Sequence, residues 1–389
     1  MVDEDTEGTE NNNLSGLTES VTFEKRGHPF TPDSASHLRP PPVQLSRSLE
    51  TIGSGRVYWE DEFHNILSAT GVKGLPFEDP KVEFELDPPI FRVHGLMEST
   101  YISRIKAVSD FMRSHGLATE RVLSVRPLEK VPYKGRQISI KQWKEITIQD
   151  PPKEALSFAS KEMADPQHGM FEFLERSQFC VIERDYPIAE RIRDLGEILN
   201  EKQAEEIFSK IFKFINFRDH TNFDAQDKDD QKQYLVDYLP TKMGRYLGKL
   251  HFLGLTHGYP TRHNWLVSGD LVDLDSVKGA PLLLNDPKIT DEDIKLDITR
   301  TMLAISNCLT LLRSSGQIFD PNSETDPLKE ALSNFIAAYI QERERQPTRG
   351  LQKLTGKRTT IKDNLFPQKN YEQEAVSLAR KKIAARSSS

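Results

Sequence analysis

The stretch HFLGLTHGYPTRHNWLVSGDLVDLDS, residues 251–276, gathers the side chains of this sequence best suited to chemistry. His257 and Gly258 open a tight loop, Asn264 follows, and Asp273 and Asp275 close the segment after a turn at SGD. An Asn amide oxygen and a carboxylate are both hard oxygen donors. A hairpin is the shortest connection that brings them together, and there they would hold a divalent cation such as Mg2+ or Mn2+. Asp273 and Asp275 differ by two positions, so on an extended strand both would point to one side, and either or both would serve as metal ligands. His257 in such a loop fixes backbone through hydrogen bonds. His263 is a candidate base or phosphate contact. Upstream, Gly53 and Gly55 in TIGSGRVY stand in a turn of the kind that cradles phosphate on backbone amides.

Such a loop needs elements to carry it. Met243, Leu247 and Leu250 fall at helical spacing in a pattern running from about 232 to 253, with Pro240 opening a fresh helix and Gly254 ending it. Further helices are expected at about 188–198, 202–217, 291–314 and 326–343, and a short one near 371–386. NWLVSGDLVDLDS reads as a pair of short strands. In the first half, KVEFELDPPIFRVHG reads as two strands around a Pro-Pro break, ERVLSVRPL as a third and QFCVIERDYP as a fourth, stopped by Pro187. Between them Ile105, Val108 and Met112 mark a helix over 103–115, with Gly116 where a left-handed cap is wanted.

Composition frames these elements. Hydrophobic residues make up 37% of 389, so part of the length reads as tail rather than core. The acidic, polar start MVDEDTEGTENNN argues against a secretory or mitochondrial leader, and no apolar run long enough to span a membrane occurs. Two cysteines, Cys180 and Cys308, are too few for a disulfide framework or a thiolate metal cage, so a reducing, cytoplasmic setting is expected. The net charge is −7, yet residues 341–389 hold twelve Lys and Arg against five Asp and Glu. The acidic body argues against nucleic acid as a partner. The expected division is a disordered, acidic and Pro-rich tail at 1–47, a small β/α lobe at 48–187, a helical lobe with the loop at 188–344, and a basic tail at 345–389.

Laid against the protein-kinase pattern H-R-D-L-x-x-x-N, the loop HGYPTRHN keeps the His and the Asn. Tyr259 stands where the base aspartate belongs, and a phenol, with its pKa ordinarily near 10, is a poor proton acceptor at neutral pH. Strands, one helix and more strands before a helical half match a two-lobed α+β kinase-like fold in outline. In that arrangement the backbone from Glu183 to Asp185 would form the hinge that meets an adenine edge.

Two blocks, about 101–126 and 245–280, resemble the selenoprotein O protein adenylyltransferases. SRIKAVSDFMRSHGLATERVLSV is similar to a helix and strand of that family, and HGYPTRHN is similar to its loop, which begins His-Gly, lacks the kinase aspartate and ends in Asn. The resemblance implies a kinase fold that binds ATP inverted and transfers AMP to protein hydroxyls. It selects Asp273 as the metal ligand and maps the helix acid that pairs with the nucleotide lysine to Asp110. This chain departs from that family at several points. His263 replaces the acidic base before the Asn, IFRVHG offers only Arg92 and His94 in place of the lysine, and the redox cysteine at the C-terminus is missing.

Three readings of function follow. One is an enzyme moving AMP from ATP to a protein acceptor, with Asn264 and Asp273 on the metal, His263 as candidate base and Arg92 or a nearby cation on the phosphates. Another is a small-molecule phosphotransferase of the aminoglycoside or choline kinase type, against which Tyr259 counts. The last is a catalytically silent kinase-like module that binds a partner.

Overall fold

In the computed structural model the described residues are 43–50, 57–61, 66–68, 82–86, 89–93, 96–151, 153–160, 163–185, 188, 190–198, 200–279, 289–316, 318–319, 326–344 and 370–387. They form an α+β structure with most strands in the first half and helices in the second. β1 (Val43–Glu50), β2 (Val57–Asp61) and β3 (Ile66–Ser68) make an antiparallel meander. β4 (Val82–Leu86) and β5 (Pro89–Val93) form a separate antiparallel pair on either side of the Pro-Pro break. β6 (Met97–Glu98) leads into α1 (Ser99–Ser114). β7 (Arg121–Tyr133) turns back into β8 (Arg136–Ser139) at Lys134 and Gly135, both at positive φ, the geometry that matches a two-residue turn to the twist of its strands.

Three helices, α2 (Ile140–Gln149), α3 (Lys153–Ala159) and α4 (Pro166–Arg176), precede β9 (Phe179–Asp185). β9 runs antiparallel to β7 from Cys180 to Asp185 and also meets β3 and β6, which joins these strands in one seven-stranded sheet. Trp143, Leu174 and Phe179 anchor a small core between this sheet and α2 and α4.

The helical half contains α5 (Ile192–Leu195), α6 (Glu201–Asp219), α7 (Lys228–Gln233), a π-helical turn at Tyr234–Tyr238, α8 (Leu239–Phe252), α9 (Asp291–Ser315) and α10 (Pro327–Arg343). α6, α9 and α10 start where the sequence provides an acceptor for free amides. The Asn200 side chain caps α6, and Thr290 and Asp293 form a reciprocal capping box on α9. α8 buries Met243, Leu247 and Leu250, the expected stripe, against α10. Its glycines allow the close approach: a Cβ on Gly244 would lie 2.2 Å from the Phe335 carbonyl oxygen, and one on Gly248 2.7 Å from that of Tyr339. α10 is accordingly buried without a break from Ala331 to Ile340.

Several boundaries differ from expectation. The helix expected at 188–198 is reduced to α5, because Glu190 and Arg191 pair their backbone with Val267 and Leu266 instead. The strand pair after Asn264 reduces to the bridge between Trp265 and Leu271. Part of the basic C-terminal region is no tail: α11 (Asn370–Ser387) packs on α10, burying Ala375 and Ala379 and pairing Lys382 with Asn334. The stretch 1–42 and the turn holding Gly53 and Gly55 lie outside the described residues. Among the described residues no helix is long and apolar enough to cross a membrane.

Candidate functional site

The loop from His257 to Asn264 is held from below by one buried carboxylate. Asp297, on α9, accepts the backbone N–H of His257 at 2.6 Å and that of Gly258 at 2.9 Å. It also receives His251 Nε2 at 3.2 Å, and the Tyr339 hydroxyl meets His251 Nδ1 at 2.8 Å. A carboxylate only accepts, so His251 donates from Nε2 and takes the tyrosine proton at Nδ1. Burial pushes the His251 pKa below the usual histidine value, which keeps the ring neutral and this direction of bonding intact.

His257 is fully buried and its partners fix its tautomer. Nε2 donates to the Val272 carbonyl at 2.9 Å, and Nδ1 accepts the Tyr259 N–H at 3.2 Å. The ring is thus a strut between the loop and the segment that follows it, as its place in the sequence suggested. Gly258 sits at φ 79°, where a Cβ would come within 2.8 Å of the Ser276 carbonyl oxygen, so only glycine fits this corner. Arg300 caps the corner by donating to the Gly258 carbonyl while its guanidinium lies 4.4 Å from the Tyr259 ring centre. Tyr259 itself is 53% exposed.

Asn264 is buried, and its side-chain N–H donates to the Tyr259 carbonyl at 3.0 Å. Its backbone carbonyl accepts the Val272 N–H at 3.0 Å, which brings it beside Asp273. Asp273 adopts φ 71° and ψ 61°, a left-handed conformation that is costly for a residue with a Cβ and clusters at functional sites. The next three residues, Leu274–Ser276, form a 3-10 turn. Asp273 and Asp275 therefore do not share one side of a strand, because the chain leaves the extended conformation at Asp273. Leu274 is buried under α1, and its N–H donates to Glu120 Oε1 at 3.3 Å. Thr119 Oγ1 donates to the Leu271 carbonyl at 2.6 Å, and Arg104 donates to the Val277 carbonyl. The helix and strand of the first half are thereby tied to both sides of Asp273.

Asp110 lies on the exposed face of α1, paired with Lys106 at 2.6 Å. The acid that meets the loop from this region is the fully buried Glu120 instead. Arg92 lies in β5 and Glu183 in β9, and their side chains fall outside the described residues, as does His94. The backbone from Glu183 to Asp185 pairs with β7 along one edge, and among the described pairings that is its only partner strand.

His263 is exposed at the loop's end. Partial burial, then the neighbouring Arg193, Arg262 and Arg191, hold its pKa below the ordinary histidine value. Three arginines thus gather at this end of the loop, Arg193 being paired with Glu197 at 2.8 Å. Arg191 is 3% exposed, and its guanidinium donates to the His263 carbonyl and lies 3.4 Å from Asn264 Oδ1. The amide oxygen that would be a metal ligand faces a fixed cation, so Asn264 does not fit a metal site. Among the described residues no group of three or more His, Cys, Asp or Glu is arranged to hold a metal ion. Cys180 and Cys308 are buried, with thiols pushed up to about 11 and about 12 chiefly by that burial, which removes them as nucleophiles.

Arg191, Glu120 and Asp297 were not among the expected site residues. No protein-family model and no curated protein matches this chain.

Proposed function

We propose that this chain is a two-lobed, protein-kinase-like protein that binds ATP at the loop His257–Asn264 and Asp273, and that it works as a binding module rather than as a transferase. The observation that supports nucleotide binding is the loop itself. It is clamped through two consecutive amides by Asp297, joined through the Val272 amide to a left-handed Asp273, and edged by Arg191, Arg193 and Arg262. A rigid loop edged by arginines suits a polyphosphate, and Asp273 would hold the divalent ion that accompanies it.

The absence of transfer rests on two features. Tyr259 occupies the position of the base and is turned outward under Arg300, and Asn264 is engaged by Arg191. AMP transfer is the second reading. It is favoured by His263, which is exposed and held neutral, and so available to accept a proton from a hydroxyl.

The full-length chain, incubated with ATP labelled at the α or the γ phosphate, separates these readings. Retention of ATP on the protein with no covalent label on it or on added lysate proteins is the expected result. Covalent α label would replace this reading with AMP transfer, and covalent γ label with phosphoryl transfer.

A further inference from the structure

The outer face of α9 is unlike those of α1 and α6. From Leu296 to Ser314 its exposed residues are Leu296, Leu303, Asn307, Thr310, Leu311 and Ser314, and none of them carries a charge. Charged residues make up 29% of the sequence, and the other two helices spend them on solvent. α1 exposes Lys106, Asp110 and Arg113, and α6 exposes Glu205, Glu206, Lys210 and Lys213. On α9, Leu296, Leu303 and Leu311 are 43%, 47% and 42% exposed. Single exposed leucines are ordinary, but spacings of seven and eight keep these three on one side of the helix. A stripe four turns long, apolar and uncharged, fits contact with protein rather than with water.

The charges at the two ends of the stripe complement each other. Asp291 and Glu292 stand in the first turn of α9, and Arg313 stands in the last. A second α9 laid antiparallel brings each acidic turn beside Arg313 of the other copy, whereas a parallel one sets acid against acid. We propose that α9 is the self-association face of this chain, two copies packing α9 on α9 about a two-fold axis at Leu303. In such an isologous contact Leu303 meets its own copy, and each Leu296 meets Thr310 and Leu311 of the other. The short side chains of Thr299, Ser306 and Asn307 let the two helices approach closely. Arg300, on the same side of α9, donates to the Gly258 carbonyl and lies 4.4 Å from the Tyr259 ring centre. The interface therefore borders the His257–Asn264 loop, and pairing of this kind is independent of what that loop binds.

Sedimentation of the full chain from about 1 to about 100 µM measures the association. The mass should rise with concentration from 44.5 kDa towards twice that value. Leu303→Glu sets like charges face to face across the axis and should weaken association at least about hundredfold. Phe217→Glu, at a position on α6 that is 79% exposed, should leave it unchanged. A chain that stays monomeric throughout, or a dimer that Leu303→Glu leaves intact, overturns the proposal.

Leu303→Lys, which should also be monomeric, completes the test. Mixed one to one, the Leu303→Glu and Leu303→Lys chains bring opposite charges together at the axis, and a dimer should form again. Only folded chains can restore association, so its return also shows that neither variant has failed to fold. A mixture that stays monomeric, while both variants keep the wild-type circular dichroism, overturns the two-fold contact at Leu303.

Discussion

Asp297 and Gly258 are joined by a 2.9 Å hydrogen bond from a loop amide to a fully buried carboxylate on α9. With the neighbouring His257 amide on the other carboxylate oxygen, the bond hangs the His257–Asn264 loop from the centre of the helical half. Loop position therefore depends on a side chain some forty positions away in sequence.

Asp297→Asn replaces one acceptor oxygen by a donor that faces donors. Hydrogen bonds to a charged group contribute about 1.5–3 kcal/mol, and a buried partner left unpaired costs more than the bond itself. A loss of about 3 kcal/mol is expected in urea unfolding. Asp110→Ala, on the exposed face of α1, should change stability by less than about 0.5 kcal/mol. Equal effects of the two variants would remove Asp297 from its place as the anchor.

The contact of α8 with α10 is set by backbone approach. Gly244→Ala would place a methyl 2.2 Å from the Phe335 carbonyl oxygen, and because that atom is backbone it cannot turn away. Overpacking of this kind costs about 1–3 kcal/mol or more. Gly254→Ala meets nothing within 4 Å, but sits at φ 79°, so its cost is backbone strain of about 1 kcal/mol. Thermal unfolding should rank Gly244→Ala well below Gly254→Ala.

The buried His251 makes stability depend on pH. Its pKa is lowered in the folded state, so on acidification the unfolded chain takes up a proton near the ordinary value of about 6.5 while the folded chain does not. Stability from this group is complete above that pH and declines below it, and His263 acts with the same sign. Glu190, Asp194 and Asp270 are raised by burial and act with the opposite sign, upward from the ordinary carboxylate range. Between pH 7.5 and 6 the histidines govern, and the melting temperature should fall. His251→Asn should flatten that slope, and an unchanged slope would show that another group sets it.

How much of this was legible in sequence depended on the kind of signal. Helices with an apolar stripe and a capping residue could be read almost to the residue: 202–217 became Glu201–Asp219, and 326–343 became Pro327–Arg343. The helices between β8 and β9 were not read, since α2, α3 and α4 are short and their buried faces answer to a sheet with its own register. In the site, His257, Gly258, Asn264 and Asp273 announced themselves by type and spacing. Asp297 did not, because an acid in DEDIKLDIT looks like one more solvated helix charge. Its only signal was its place in the pattern, where it shares the buried face with Ile294, Ile298 and Thr301. Arg191 and Glu120 carried no local signal, for each acts through a partner more than seventy positions away.

Nucleotide binding at this loop is tested most directly by the melting temperature of the full chain with millimolar ATP and Mg2+, beside the Asp273→Ala variant. A ligand at a hundred times its dissociation constant stabilises the native state by about 2.7 kcal/mol, which moves the midpoint by several degrees. The expected result is such a rise for the wild type and its loss in Asp273→Ala, each measured against the same protein without nucleotide. No rise in the wild type, or an equal rise in both, would contradict a nucleotide site built on the His257–Asn264 loop and Asp273.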